Sequence, residues 1–166
     1  FACPVGATTC SIPLPEGAGN ANYRVDAATT GLSATGSATY LLDSSTPQLN
    51  GSVSGVVGTN GWYKSNVTLT VAASDAVSGI ASTTVTVDSG SQTAYSAPIE
   101  LTDGVHTVTL STTDNAGHVT QTTQTFNIDT VTPVLNVSLS GSMGTNNWYI
   151  SDVTITPTAN DSGAGL

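Results

Sequence analysis

Asp75, Asp114, Asn115 and Asp129 stand in turns or beside a recurring junction, and oxygen ligands clustered in this way suit a hard cation such as Ca²⁺. Asp and Asn also favour turns for their own local hydrogen bonds, and EF-hand ligand spacing is missing, so the expected cofactor is none, with Ca²⁺ as the alternative. Cys3 and Cys10 are the only cysteines. Pro4 and Gly6 favour a turn between them, which in an oxidising compartment predicts a local Cys3–Cys10 disulfide, contributing about 2.5 kcal/mol by chain entropy. No CxxC or histidine lies near enough to make that pair a metal site. His106 and His118 each begin a strand-like segment and read as structural or solvent-facing. No serine sits in a GxSxG setting and no carboxylate pair is evident, so the chain is not expected to be an enzyme. A cross-link from Lys64 to an asparagine is disfavoured, because the aligned residue further on is Ile150.

Two aromatic pairs, Trp62-Tyr63 and Trp148-Tyr149, bring the chain's organisation into view, since they occupy one place in a repeated stretch. Thr46–Ile80 and Thr132–Leu166 are identical at 19 of 35 positions, at an offset of 86 residues without a gap. Upstream, Asp43 falls on Asp129, Leu42 on Ile128, Tyr40 on Phe126 and Gly31 on Gly117. A fixed period of this size means an array of similar units. The aromatic pairs then have two readings: a platform on which sugar rings stack, or a cap packed against the adjoining repeat, together with Pro47 and Pro133. The second is preferred, because an inter-repeat contact must recur in every unit and a binding platform need not.

Composition narrows the partners. Charged residues are 8% of the chain, the net charge is −9, and the only basic side chains are Arg24 and Lys64. Nucleic acid requires a Lys/Arg footprint that is missing, and an anionic bilayer would repel this surface. Membrane insertion is not expected, since no apolar run approaches the ~20 residues of a spanning helix. Roughly three residues in ten are Ser or Thr, so the surface is hydroxyl-rich instead of ionic. Such a surface offers few ion pairs for salt to screen and few trypsin sites, which suits life outside a cell.

Taken in order, residues 1–46 read as the C-terminal part of a repeat, 47–132 as a complete repeat and 133–166 as the N-terminal part of the next. Ile12–Gly17 resembles Ile99–Gly104 with a one-residue slip, and Phe1 reads as a processed end or the start of an excerpt. Within the complete repeat, Val67, Leu69, Val71 and Ala73 alternate with Thr68, Thr70 and Ala72, the period of a strand with one buried face. Similar short runs are separated by turns at Asp75–Gly79, Asp88–Gly90, Asp103-Gly104 and Asp114–Gly117. About seven strands without helical periodicity predict an all-β fold of tandem immunoglobulin-like antiparallel β-sandwiches. Prolines after Asp43 and Asp129 stiffen the junctions, so successive repeats should form a semi-rigid rod.

Four features carry a resemblance: the Asp129-x-x-x-Pro133 junction, Gly61-Trp62-Tyr63 before VTLTV, the Ser78-Gly79-Ile80 turn, and Asp114-Asn115-Ala116-Gly117. The sequence resembles the bacterial immunoglobulin-like repeats found in tandem in secreted and surface-anchored proteins. That resemblance implies extracellular spacer, stalk or fibre roles, or accessory modules of polysaccharide-degrading enzymes, and no catalytic residues. The leading expectation is a structural segment of a fibre, stalk or sheath. Its partners would be copies of itself or neighbouring repeats, the partial repeats being completed either by continuation of the same chain or by strand complementation from a neighbour. The alternative is an adhesin or carbohydrate-binding module with a glycan ligand.

Overall fold

The structure is a computed structural model that describes residues 9–26 and 30–166. Among the described residues twelve strands follow one another: β1 (Gly17–Asp26), β2 (Ser33–Leu42), β3 (Gln48–Ser54), β4 (Trp62–Tyr63), β5 (Val67–Ser74), β6 (Ile80–Val87), β7 (Thr93–Ala94), β8 (Ile99–Leu101), β9 (Gly104–Asp114), β10 (Val119–Ile128), β11 (Val134–Ser140) and β12 (Thr154–Asn160). They form sheets of order β3-β5-β8 and β4-β10-β9-β6-β7, flanked in sequence by the hairpins β1-β2 and β11-β12. The fold is all-β and has the character of an immunoglobulin-like β-sandwich. The 3₁₀ turn at Thr145–Asn147 contains Asn146 at φ 53°, so it is a turn and not a continuous helix.

The chain divides into two compact units. The first comprises Phe1–Asn50, Ala72–Thr84 and Leu110–Thr122. Its buried side chains are unusually polar: Thr112 and Asp114 join Leu110 and Pro47 inside. Thr112 Oγ1 meets Thr83 Oγ1 at 3.1 Å and donates to the Ser82 carbonyl at 3.1 Å, so burial leaves it satisfied. The second unit comprises Gly51–Val71, Val85–Thr109 and Thr123–Leu166. It holds the apolar core of Val67, Leu69, Val71, Val85, Leu101, Val108, Phe126 and Ile128. The alternation expected of VTLTV is observed there, with Val67 and Leu69 buried and Thr68 and Thr70 exposed. The Val71 amide donates to the Tyr95 hydroxyl at 3.0 Å.

Two departures from the sequence reading have local causes. An antiparallel arrangement was expected throughout, yet β4 runs parallel to β10, with Trp62 opposite Asn127 and Tyr63 opposite Ile128. Asn60 (φ 52°) and Gly61 (φ 80°) turn the chain sharply into β4, and the Asp129 amide then donates to the Tyr63 carbonyl at 2.8 Å. The two-residue β7 was not foreseen, because Thr93-Ala94 is exposed and too short to show any alternation.

Candidate functional site

The repeated stretch has the same local structure in both copies, one hydrogen bond at a time. Gly58 N donates to Trp62 O at 2.7 Å, and Gly144 N to Trp148 O at 2.7 Å. Lys64 N reaches Val56 O at 2.8 Å, and Ile150 N reaches Ser142 O at 2.8 Å. The Ser65 hydroxyl accepts from Val56 N at 2.8 Å, as the Ser151 hydroxyl does from Ser142 N at 2.8 Å. Asn60 and Asn146 share the left-handed conformation at φ 52° and 53°, where asparagine is among the few tolerated residues. The isolated bridges Val57–Tyr63 and Met143–Tyr149 are likewise 86 residues apart.

The junction recurs in the same way. Glu16 accepts from the Ser44 amide at 3.1 Å and from the Ser44 hydroxyl. Asp103 accepts from the Thr130 amide at 2.6 Å and its hydroxyl at 3.0 Å. Asp43 Oδ1 accepts from Ser45 N at 3.0 Å, and Asp129 Oδ1 from Val131 N at 3.0 Å. Asp129 Oδ2 then takes the Ala164 amide at 2.6 Å, pinning the turn that follows β12. Hydrogen bonds from Ala164 and then Val131 hold the Asp129 carboxyl below its usual range.

At the first junction the structure brings together residues that are distant in sequence. One ligand atom from each of Asp43, Asp114 and His118 lies within 4.8 Å of the others, the arrangement that would be needed to share a cation. Asp114 is buried, which raises its pKa. Hydrogen bonds from the His118 amide and imidazole and from the Gly117 and Ala116 amides outweigh this, and the net shift is downward. Its Oδ1 accepts three backbone N–H groups at 2.7 to 2.9 Å and its Oδ2 meets His118 Nδ1 at 2.9 Å. Asp75 Oδ1 is similarly filled by the amides of Val77, Ser78 and Gly79. Asn115 donates from Nδ2 to the Ser78 carbonyl at 2.7 Å. These acids are therefore employed as turn staples, and a carboxylate oxygen with three donors has little capacity left for a metal.

Asp43 differs. Its Oδ1 also accepts the Ser45 hydroxyl at 2.6 Å, while its buried Oδ2 lacks a well-formed hydrogen bond. The carboxyl is lowered to about 2 by the Ser45 hydroxyl first and the Ser78 hydroxyl second. The Ser78 oxygen is close enough to favour the charged form, although the pair falls short of good hydrogen-bond geometry. His106 pairs in a comparable manner with Asp88 at 3.0 Å and meets the Thr102 carbonyl at 3.1 Å. The sequence reading treated both histidines singly and missed these partners.

The remaining sequence candidates are dispersed. Trp62 and Tyr63 are half-buried, with the Tyr63 ring 6.4 Å from that of Phe126, while Trp148 is 75% exposed and Tyr149 half-buried. Pro47 is buried, its carbonyl accepting from Thr120 Oγ1 at 2.6 Å, and Pro133 is exposed. Cys3 lies outside the described residues, so the Cys3–Cys10 pairing does too.

Residues 26–130 match the family model described as Bacterial Ig-like domain. The chain belongs to the bacterial Ig-like domain family. No curated protein and no solved structure matches it. Bacterial Ig-like domains are typically non-catalytic structural modules, common in surface and extracellular proteins. Among the described residues, no helix of this Ig-like chain is long and apolar enough to cross a membrane.

Proposed function

We propose that the chain is a structural segment of a long extracellular repeat protein that forms a fibre, stalk or sheath. In this reading 1–46 is the back of one Ig-like repeat, 47–132 a complete repeat and 133–166 the front of the next. Trp62, Tyr63, Trp148, Tyr149, Pro47 and Pro133 serve contacts between repeats, and neither a cofactor nor nucleic acid takes part. The observation that carries the reading is the recurrence of the loop around Trp62 at Trp148, with the same hydrogen bonds 86 residues on. The junction supports it, since Glu16–Ser44 and Asp103–Thr130 close the end of each repeat by the same clasp, and Asp129 accepts the Ala164 amide from the stretch that follows.

A stiff array has a measurable signature. In small-angle scattering from chains carrying increasing numbers of the repeat, the maximum dimension should grow by a constant increment per repeat. Growth as the square root of repeat number, the behaviour of flexible linkers, would refute the rod.

The exposed indole of Trp148 favours a second reading, a glycan-binding or adhesin module. Glycan-array binding that is lost in Trp148→Ala and Trp62→Ala would establish it.

A further inference from the structure

The two junction clasps are built from equivalent residues and are not equally supported. Asp103 receives Thr130 at the second, and Glu16 receives Ser44 at the first. A glycine at positive φ follows each acid, Gly104 at 129° and Gly17 at 96°. Two residues further along, β9 carries His106 where β1 carries Gly19, which has no side chain to offer.

His106 connects the second clasp to a neighbouring turn. Its Nδ1 is 3.0 Å from Asp88 Oδ2, in the turn after β6, and its Nε2 is 3.1 Å from the Thr102 carbonyl oxygen. Asp88 is itself fixed: its Oδ1 accepts the Thr107 amide at 2.9 Å, and its own amide donates to the Thr107 carbonyl at 2.7 Å. The Thr102 carbonyl belongs to the peptide that leads into Asp103, so holding that plane sets where the Asp103 side chain begins. Asp103 Oδ1 then takes the Thr130 amide at 2.6 Å and the Thr130 hydroxyl at 3.0 Å. All of these residues belong to one compact unit.

Both atoms that meet the ring are acceptors. A carboxylate and a carbonyl have no proton to give, and a neutral imidazole carries only one N–H. Only the imidazolium, with an N–H on each nitrogen, satisfies both at once. Hydrogen bonds from the Thr107 amide first and His106 second hold the Asp88 carboxyl below its usual range, so that partner stays charged wherever an imidazole titrates. Of the acids on neighbouring segments, Asp103 is engaged with Thr130, and Glu100 of β8 accepts from Asn66 Nδ2 at 2.9 Å. Asp88 is therefore the ion-pair partner of the ring, whose side chain is 20% exposed and can exchange its proton with solvent.

We infer that His106 makes the second clasp proton-dependent. Protonated, the ring bridges Asp88 and Thr102 and steadies Asp103 against Thr130. After giving a proton to solvent it must release one of the two, and the clasp loosens. The first clasp, with Gly19 in that place, does not respond. The stability added by the bridge is present in acid and is lost as the pH rises through the range in which imidazoles give up a proton. This rests on the proposed function only in taking the clasp as a junction between repeats.

The test follows amide hydrogen exchange in the full 166-residue chain, with protection corrected for the intrinsic pH dependence of exchange. Between mildly acidic and mildly alkaline buffer, protection of the Thr130 amide should fall about tenfold, the worth of one charge-assisted hydrogen bond. Protection of the Ser44 amide should stay constant. In His106→Gln, whose side chain is neutral throughout, the Thr130 response should vanish, and thermal unfolding by circular dichroism checks that this variant is folded. If it is not, the ring-nitrogen NMR shifts of His106 in the unaltered chain decide. Both nitrogens should be protonated in the acidic buffer, and one should lose its proton in step with the change at Thr130. Constant Thr130 protection would overturn the inference, whether or not the ring titrates. So would an equal fall at Ser44, or a fall at Thr130 that persists in a folded His106→Gln. None of these outcomes touches the repeat reading, which is decided separately by how the scattering dimension grows with repeat number.

Discussion

β5, VTLTVAAS, and the stretch 153–160 that holds β12, VTITPTAN, agree at four of eight positions and differ in what lies over them. Val67 and Leu69 are sealed in the core, whereas Val153 and Ile155 stand open. The loops that lead into the two strands are nonetheless the same, down to the left-handed asparagine. Local conformation in this protein is therefore written into a dozen residues and survives without a core. Burial is a property of the partner, and most of the stability comes with it.

The sharpest way to break that comparison is to cut the same side chain in both places. Phe126→Ala should destabilise residues 47–132 by about 3–5 kcal/mol, close to the whole stability of a small domain. Tyr40→Ala, at the equivalent place in the open hairpin, should stay within about 0.5 kcal/mol in urea titrations of the dilute chain. Leu69→Ala should cost about 2–5 kcal/mol and Ile155→Ala about nothing in the same measurement. Equal losses in either pair would mean that the open hairpins are already covered in solution.

Acid should act mainly through the staples. The folded-state pKa values of Asp43, Asp88, Asp114 and Asp129 lie below the ordinary 3.8. The unfolded chain therefore binds protons first as the pH falls. The stability these groups contribute is fully present above 3.8 and is lost as the pH falls below it, for Asp43 down to about 2. Asp43→Asn should flatten that acid limb in thermal unfolding followed against pH. The loops should matter less than the core. Asn60→Ala should cost about 1–2 kcal/mol for forcing an alanine to φ 52°, while Asn60→Gly should be nearly neutral.

Much of this architecture was legible in the residues. The 86-residue offset places β3 against β11, β5 against β12 and β2 against β10, and the Thr/Val alternation assigns the faces. What escaped was long-range. Asp43 and Asp114 are 71 residues apart, and nothing near either one announces that they converge on His118. The available signal was the recurrence of Asp43 as Asp129, which marks the position without naming its partner. The parallel course of β4 escaped for a related reason: two residues have no period, and only the positive φ at Asn60 and Gly61 turns them onto β10.

On β1-β2 the tyrosine rings lie over glycines, and a Cβ added at Gly19 or Gly36 would collide with Tyr40 or Tyr23. Glycine weakens a strand, yet here it lets each aromatic ring recline so that the surface becomes smooth. A smooth surface grips poorly along the strand direction, and an incoming sheet could slide by two residues without losing much contact. The register of β1 on β2 is fixed instead at the end of the hairpin, where Glu16 accepts from the Ser44 amide in a geometry that admits no such slippage.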